Sequence, residues 1–204
     1  MIPLRRDWNV LATPRDGRFE QAKLHLCYLG ITVEAPFDDL LLLEVPDIDE
    51  LLEYLTDDQQ CDSAMFEHFE SIRPVRSEFA FETRGDFFER ASELIGELAP
   101  KLGGERFSIR VHSRGGPLPE DDGAIENRLY NDLLGRLREL NEEATIGRTD
   151  CDFLIDVETV ARTAGISMWD RADLRQYPFL GFRRWQGPLL SSDARSRSSG
   201  RLRT

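Results

Sequence analysis

Three cationic side chains alternate along one short stretch of the sequence and could contact phosphate groups. Arg110, His112 and Arg114 are separated by single residues, and two glycines and a proline follow directly. Apolar residues at the intervening positions predict a half-buried strand over residues 107–112 with the cations on its polar face. A strand that delivers cations to a glycine turn before a helix is suited to binding phosphate. The alternative is a core strand whose arginines are simply solvated, and periodicity alone favours that alternative.

The overall charge limits the case for a nucleic-acid ligand. The 204 residues include 26 basic and 38 acidic side chains, which gives a formal net charge of -12, whereas phosphate binding needs local positive charge. Between Lys23 and Arg73 there is no basic residue, so the positive charge is concentrated elsewhere in the chain. Only two of the basic residues are lysines. This composition fits either a high-GC genome or a salt-adapted organism.

Neither the cysteines nor the apolar runs indicate an extracellular or membrane protein. Cys27, Cys61 and Cys151 are widely spaced and odd in number, which is typical of reduced thiols. The longest apolar run is the leucine stretch at 40–43, far shorter than a bilayer requires. The N-terminus has no apolar signal core. We therefore expect a cytoplasmic protein with no membrane partner.

Motifs that carry chemistry are missing from the sequence. It contains no glycine-rich nucleotide-binding motif and no GxSxG nucleophile motif. His25, His68 and His112 are far apart in sequence, so no metal site is predicted. The acidic pairs at 121–122 and 150/152 are interpreted as a solvated loop and a strand entry. We expect no catalytic residue, metal or cofactor, and an enzyme with an unrecognised site is the weakest interpretation.

Hydrophobic spacing in the first eighty residues predicts the element order β-α-β-β-α-β. The predicted elements are a strand at 8–13, a helix at 19–28, strands at 31–33 and 40–45, a helix at 48–55, a short helix at 63–70 and an extended segment at 72–81. Pro36 is expected to end the second strand. This order is that of a ferredoxin-like domain.

The second half of the chain predicts another mixture of helices and strands. The elements are a helix from the Thr83 N-cap to about residue 99, the strand at 107–112, a helix whose inner face is Ile125, Leu129, Leu133, Leu137 and Leu140, a strand at 153–159, a turn at 163–165, a strand at 166–169 and a helix at 170–176. The strand–helix–strand portion is expected to form a parallel crossover. Residues 187–204 are rich in serine and arginine and are predicted to be disordered.

Residues 79–180 resemble a THUMP domain, an RNA-binding module of tRNA-modifying proteins. The resemblance rests on Phe79-Ala-Phe81-Glu-Thr83, Asp86-Phe87, the stretch at 107–115, the stretch at 152–160, Ala164-Gly165 and Tyr177-Pro178-Phe179-Leu180. Residues 8–81 are similar to the ferredoxin-like domain that often accompanies THUMP, through the stretches at 9–13 and 43–47. The resemblance implies an α+β or α/β protein. A ferredoxin-like domain at 1–81 would precede a THUMP domain at 82–186, with a central mixed sheet flanked by helices, and the tail at 187–204 would follow.

The resemblance also implies a function. In this family the two domains bind tRNA, largely through its acceptor stem and 3′ end, while a separate domain carries out the chemistry. Because this sequence shows no such domain, the resemblance implies a noncatalytic adaptor that presents tRNA to a separate modifying enzyme. The adaptor of tRNA cytidine acetylation is such a protein, and an acetyltransferase would then be the partner.

The RNA contacts that the resemblance implies are basic residues on or near the predicted strand and after the last folded motif. They are Lys101, Arg106, Arg110, His112, Arg114, Arg162, Arg183 and Arg184. The loop after Gly115 is acidic where relatives are usually basic. That difference leaves a second interpretation open, an acidic protein-interaction module with a degenerate RNA site.

Overall fold

The computed structural model describes residues 8–60, 64–118, 121–147 and 150–182 as two β-sheets with helices packed against them. The strands are β1 (Val10–Pro14), β2 (Thr32–Phe37), β3 (Leu40–Glu44), β4 (Phe69–Pro74), β5 (Ser77–Ala80), β6 (Arg106–Arg114), β7 (Thr145–Ile146), β8 (Phe153–Val160) and β9 (Thr163–Asp170). The helices are α1 (Phe19–Tyr28), α2 (Ile48–Gln60), α3 (Arg84–Leu98), α4 (Asp122–Glu139) and α5 (Arg171–Gln176). Short 3₁₀ turns lie at Ala64–Glu67, Ala99–Lys101 and Pro178–Leu180.

The first sheet contains four strands in the order β2-β3-β1-β4, and all neighbouring strands are antiparallel. Helix α1 connects β1 to β2, and α2 lies between β3 and β4, in the order that the sequence predicts. The four leucines at 40–43 are fully buried. The Asn9 side chain joins two strand ends, since its Nδ2 donates to the Val45 carbonyl at 2.7 Å and its Oδ1 accepts from the Val45 N–H at 2.8 Å.

The second sheet contains five strands in the order β5-β9-β8-β6-β7 and is mixed. Strand β6 runs parallel to β7 and β8, whereas β9 is antiparallel to both β5 and β8. Helices α3 and α4 cover one face, where Phe107, Ile109 and Val111 of β6 share a core with buried residues of both helices. The parallel pairing of β6 with β8 confirms the expected connection through a helix.

The chain passes from one sheet to the other between two neighbouring residues. The Val75 N–H donates to the Asn9 carbonyl of the first sheet at 2.8 Å, and the Arg76 N–H donates to the Ile166 carbonyl of the second at 3.2 Å. The segment predicted to be extended at 72–81 is extended, but it does not belong to a single sheet. The segment forms β4 in one sheet and β5 in the other, and hydrophobic alternation does not reveal which sheet a strand joins.

Gly165 lies inside strand β9, so the turn predicted at 163–165 was also wrong. The reversal takes place at residues 161–162, where Ala161 has a positive φ of 54°. A Cβ atom on Gly165 would lie 2.5 Å from Cγ1 of Val75. The glycine is needed because a neighbouring segment approaches the strand closely, which is one of the reasons for which strands contain glycine.

Four smaller differences from the sequence-based prediction have local causes. Pro36 lies within β2 because β2 is an edge strand with a register shift, where a missing N–H is tolerated. Helix α2 continues to Gln60, beyond the predicted end at residue 55. The helix predicted at 63–70 is a single 3₁₀ turn, followed by β4. Leu140 is the C-cap of α4 and is 40% exposed rather than on its inner face.

One hydrophobic core joins the two sheets. Val10 and Leu41 of the first sheet belong to the same buried cluster as Leu154 and Trp169 of the second. Helix α5 adds Leu174 to this cluster, and the turn after it adds further apolar side chains. The two sheets are therefore packed against each other through apolar contacts.

None of the helices in the described ranges is long and apolar enough to cross a membrane. The tail predicted at 187–204 lies outside the described residues.

Candidate nucleic-acid interface

The predicted cationic face lies on the side of β6 that points away from α3 and α4. Strand β6 extends to Arg114, two residues beyond the predicted end, so Arg110, His112 and Arg114 all belong to it. Their neighbours in β8 are acidic, because Arg110 is in register with Asp156 and His112 with Glu158. All three cationic side chains are half-buried. The predicted face is therefore paired with carboxylates.

Five ionisable side chains form what we call the sheet-face cluster: Arg73, Arg110, Arg114, Asp156 and Glu158. Glu158 is at its centre, 2.5 Å from Nη1 of Arg73, in contact with Arg114, and 3.9 Å from Arg110. Asp156 lies 3.4 Å from Nη1 of Arg110. The two carboxylates are 3% and 1% exposed, and the arginine side chains between 10% and 19%. With both carboxylates ionised, the cluster has a net charge of +1.

Arg73 connects the sheet-face cluster to the first sheet. It belongs to β4, and its Nε donates to the Leu180 carbonyl at 3.0 Å while its guanidinium bonds Glu158. The guanidinium carbons of Arg73 and Arg110 lie 5.1 and 5.2 Å from the ring centre of Phe182, within the range of cation–π contacts. Sequence reasoning missed Arg73, because Glu158 is 85 positions away and no local pattern connects them.

The two carboxylates of the cluster have opposite pKa shifts. Burial disfavours the charged form of Glu158, but Arg73 and Arg114 outweigh it and hold the pKa of Glu158 below its ordinary value. Burial, assisted by the nearby Glu158 charge, raises the pKa of Asp156 to about 7. Burial and then the neighbouring Arg114 lower the pKa of His112, which favours a neutral imidazole. The positive charge of the arginines therefore stabilises mainly the Glu158 carboxylate, and the negative charge of Asp156 is only partly compensated.

The structure divides the predicted RNA-binding residues between two ends of the sheet. Arg114 is at the C-terminal end of β6, and Arg162 is in the turn after β8, at the same end. Arg106 begins β6, and Lys101 precedes it. Arg106 and Arg114 are the first and last of the nine residues of β6, a span of about 26 Å. Arg183 and Arg184 lie outside the described residues.

Helix N-termini and arginine side chains lie together at the C-terminal end of the parallel strands, where they could bind an anion. We call it the strand-end edge and define it as residues 114–116, the turn at 161–162 and the first turns of α3 and α4. Helix α3 starts here, because the Phe81 N–H donates to the Arg162 carbonyl at 2.9 Å. Helix N-termini have a partial positive charge. Arg162 contacts Glu82, and both side chains are more than 60% exposed, so this pair contributes little.

Backbone contacts hold the strand-end edge together. Gly115 and Gly116 have φ values of +67° and +100°, which side chains other than glycine rarely adopt. A Cβ on Gly116 would lie 1.9 Å from the Ala161 carbonyl oxygen, so the loop after β6 rests directly on the β8–β9 turn. The ring of Phe37 would lie 3.3 Å from a Cβ on Gly115. The glycines are therefore needed for close approach.

Asp121 and Asp122 have structural partners that the interpretation as a solvated acidic loop did not include. Asp121 is the N-cap of α4 and accepts from the Ala124 N–H at 2.8 Å. Asp122 accepts from the N–H and the hydroxyl of Ser113. Both carboxylates are therefore hydrogen-bonded within the strand-end edge, although Asp121 itself is exposed.

One face of α4 covers the free edge of β6. Asp122, Glu126 and Tyr130, spaced four residues apart, accept from the N–H groups of residues 113, 111 and 109 at 3.1, 3.0 and 2.6 Å. Strand β7 pairs only with the first two residues of β6, which leaves these donors to the helix. Covering an edge in this way satisfies its backbone and blocks pairing with another chain.

The second acidic pair belongs to an ion-pair network at the opposite end of the sheet. Arg171 lies 2.7 Å from Asp150 and 2.9 Å from Asp152, and Arg106 contacts both carboxylates. Arg106 is therefore neutralised locally. An open groove of about 720 Å³ between α3 and α4 is lined by four acids and one arginine, which does not suit phosphate.

Two histidines that are remote in sequence meet in the fold. The ring centres of His25 and His68 lie 6.1 Å apart in an edge-to-face arrangement. Within the described ranges, no three side chains of the metal-ligating types converge.

Comparisons with known proteins rest on the fold alone, since neither a family model nor a curated sequence matches. PH1313 from Pyrococcus horikoshii Ot3 is 13% identical, with a TM-score of 0.54, over 79% of this chain and 54% of its own. TrmN from Thermus thermophilus is 16% identical, with a TM-score of 0.54, over 84% and 51%. A possible methylase from Clostridium difficile 630 is 11% identical, with a TM-score of 0.51, over 79% and 40%. The chain thus spans about half the length of these proteins or less.

These neighbours identify the class of fold. PH1313 and TrmN are THUMP-containing proteins, and the described residues form the same kind of two-sheet α/β structure.

The expectation of a noncatalytic adaptor, and of no enzymatic role, is contradicted by these neighbours, since TrmN is among methyltransferases and the Clostridium protein is a possible methylase. The same finding sets aside the acidic protein-interaction module. The expectation rested on missing catalytic motifs. In the neighbours this fold occupies only about half of the protein, so its lack of such motifs does not indicate a noncatalytic protein. No separate enzyme partner is shown.

Proposed function

We propose that this protein takes part in enzymatic tRNA methylation and that the fold described above is its tRNA-binding part. The observation that carries the proposal is the fold shared with TrmN over 84% of the chain. That match covers 51% of TrmN. The proposal therefore assigns RNA binding, and not methyl transfer, to the matched fold. The residues described here would bind and orient the RNA.

We infer that the first sheet is a ferredoxin-like domain and the second a THUMP domain. The order β2-β3-β1-β4 with antiparallel neighbours supports the first inference, and the mixed sheet with two covering helices supports the second. Strand β5 pairs in the second sheet, so we place the boundary near Val75 rather than after residue 81. The proposed second domain ends near residue 186, beyond the last described residue.

We further propose that the RNA backbone binds at the strand-end edge. Two helix N-termini and the exposed Arg162 meet there, beside Arg114 at the end of β6. Phosphates contact arginines and helix N-termini in many nucleic-acid complexes. Arg162 can exchange Glu82 for a phosphate at small cost, because an exposed ion pair contributes at most about 1 kcal/mol.

The other residues predicted to contact RNA differ in their distance from the strand-end edge. Arg110 lies on the sheet face next to Arg114 and would act mainly through the positive electrostatic potential. His112 lies between them, and its lowered pKa favours a neutral imidazole, so it would contribute a hydrogen bond rather than charge. Lys101 and Arg106 lie at the far end and would contact a different part of a long RNA. Arg183 and Arg184 remain predictions from the sequence.

A pair of charge reversals tests the proposed surface. Arg162→Glu places a negative charge on the strand-end edge. Arg138→Glu makes the same change in net charge in the last turn of α4, sixteen residues and about 24 Å from Asp122. We expect Arg162→Glu to weaken tRNA binding roughly tenfold, about 1.4 kcal/mol, and to lower the salt slope by about one. Arg138→Glu should change binding by less than about twofold. Equal effects of both variants would exclude this edge as the site.

The methylation role is tested in cells. Deleting the gene should remove one methylated nucleoside from bulk tRNA, as measured by mass spectrometry of nuclease digests. Restoring the wild-type gene should restore that nucleoside, and restoring the Arg162→Glu variant should restore it only in part. An unchanged profile of methylated nucleosides after deletion would refute the proposal.

A further inference from the structure

We propose that tRNA binding at the strand-end edge is coupled to the uptake of one proton by Asp156, so that the protein binds tRNA more tightly as the pH falls through neutrality. This inference rests on the proposed function, because it concerns how that RNA site is regulated. Its basis is the geometry of the sheet-face cluster, in which two buried carboxylates share three arginines.

The arginines connect the RNA-facing edge to Asp156 in two steps. Arg114 contacts Glu158, and Glu158 lies 3.9 Å from Nη1 of Arg110. The same Nη1 atom lies 3.4 Å from Asp156. A phosphate that approaches Arg114 competes with Glu158 for the guanidinium of Arg114. The Glu158 carboxylate is then stabilised more strongly by Arg110. Asp156 loses part of its compensating charge as a result.

Asp156 is the carboxyl that accepts the proton, because Glu158 keeps another partner. Arg73 bonds Glu158 at 2.5 Å and is itself fixed by the Leu180 carbonyl. Ser167 is in register with Asp156 on β9, but its hydroxyl donates to the Pro74 carbonyl at 2.8 Å. The ion-pair contact of Asp156 is the long one to Arg110.

The electrostatic surroundings of Asp156 support this assignment. The charged groups that face it are Arg73 from β4, Arg110 and Arg114 from β6, and Glu158 from its own strand, while His112 of β6 faces Glu158. Burial and the Glu158 charge raise the pKa of Asp156 to about 7. The arginines and His112 hold the pKa of Glu158 low. Of the two buried carboxyls, Asp156 is therefore the one whose neutral form is favoured.

The direction of the coupling follows from charge. Protonation of Asp156 raises the net charge of the cluster from +1 to +2, which favours a polyanion. Binding and protonation are reciprocal, so bound tRNA raises the pKa of Asp156 by the same coupling free energy. The RNA complex then holds more protons than the free protein. The affinity should rise as pH falls, by at most tenfold per pH unit for a single proton.

The test compares three proteins by fluorescence anisotropy with labelled tRNA between pH 5.5 and 8.5 at constant ionic strength. Wild type should lose roughly tenfold in affinity between pH 6 and 8.5. Asp156→Asn, which mimics the protonated carboxyl, should bind with the low-pH affinity of wild type at every pH. His112→Gln should keep the pH dependence, whatever its affinity. A pH dependence that persists in Asp156→Asn, or that is lost in His112→Gln, overturns the inference.

Calorimetry supplies a readout that does not depend on how well the variants fold. Titrations of wild type at pH 7 in buffers of different ionisation enthalpy should show uptake of a fraction of one proton per tRNA. Zero uptake by wild type that binds tRNA would refute the coupling but leave the proposed function intact. Absence of tRNA binding by wild type at every pH would instead refute the proposed function, and the coupling with it.

Discussion

At the scale of single residues, Glu158 has the greatest structural effect in the sheet-face cluster. It is 1% exposed and contacts Arg73 and Arg114 from two different sheets. Glu158→Gln leaves both guanidinium groups without their counter-charge inside the protein. Removing one partner of a buried ion pair costs about 3–5 kcal/mol, and we expect a loss of that size in urea unfolding.

The exposed pair of Arg136 and Glu139 provides the control for this variant. Glu139→Gln makes the same chemical change in a pair that is more than half exposed on both sides. Its cost should be at most about 1 kcal/mol. Similar losses for Glu139→Gln and Glu158→Gln would mean that the buried network contributes no more than a surface pair.

Asp156 makes the stability of the folded protein depend on pH. Its pKa is raised from 3.8 to about 7 in the folded state, so its contribution is fully present below pH 3.8 and is lost as the pH rises through 7. His112 acts in the opposite sense, because its lowered pKa makes stability increase as the pH rises towards 6.5. The difference between wild type and Asp156→Asn isolates the Asp156 contribution.

We expect Asp156→Asn to gain stability relative to wild type between pH 5 and 7. The difference should grow by up to about 1.4 kcal/mol per pH unit. Urea unfolding at a series of pH values measures it. A difference that stays constant over this range would mean that the pKa of Asp156 is the same in the folded and unfolded states.

The sequence predicted part of this cluster and could not predict the rest. Alternation along one strand correctly placed Arg110 and His112 on one face, and Arg114, predicted at the exit of the strand, continues that face. It could not show that Asp156 and Glu158 lie opposite them, because strand register depends on pairing across 46 residues. Arg73 belongs to the other sheet, and no pattern in the sequence around it predicts that it contacts Glu158.

At the scale of elements, α4 replaces a neighbouring strand along the edge of β6. The Tyr130 hydroxyl accepts from the Ile109 N–H at 2.6 Å, and it lies 3.2 Å from the Ile109 carbonyl oxygen. Tyr130→Phe removes this partner and leaves the amide unsatisfied beneath the helix. A buried donor without a partner costs about 1–3 kcal/mol, so urea unfolding should show a loss of that size.

Hydrogen exchange locates the effect of this substitution. The Ile109 amide should exchange faster in Tyr130→Phe, whereas amides of β1 in the other sheet should change only as much as global stability does. Tyr28→Phe is the matched control, because Tyr28 is 81% exposed. That variant should leave both stability and exchange unchanged. Unaltered exchange at Ile109 in Tyr130→Phe would show that the helix does not protect the strand edge.

The elements themselves were largely predictable, and their partners were not. The periodicity correctly predicted α1 over residues 19–28, the N-cap at Thr83 and the helix that follows Asp170. The predicted turn at Gly165 was wrong because glycine also occurs where another segment approaches a strand closely. That second cause became visible only with Val75 in place.

At the scale of the whole molecule, the two sheets share one buried apolar cluster, although we propose that they belong to two domains. Val10 and Leu41 share a buried cluster with Leu154 and Trp169, and Arg73 bonds Glu158 across the junction. If either sheet unfolds, the other exposes the apolar side chains that it contributes to this shared cluster. We therefore expect a single calorimetric transition with equal calorimetric and van't Hoff enthalpies.

A variant at the junction between the two sheets separates the effect of the ionic contact from that of the shared apolar cluster. Arg73→Leu removes the ionic contact between the sheets and leaves Glu158 with the arginines of β6. If apolar packing holds the sheets together, the variant should still unfold in one transition, at a lower temperature. Two separate transitions in wild type would show that the sheets unfold independently. Two transitions in Arg73→Leu alone would show that the ionic contact, rather than the shared core, makes unfolding cooperative.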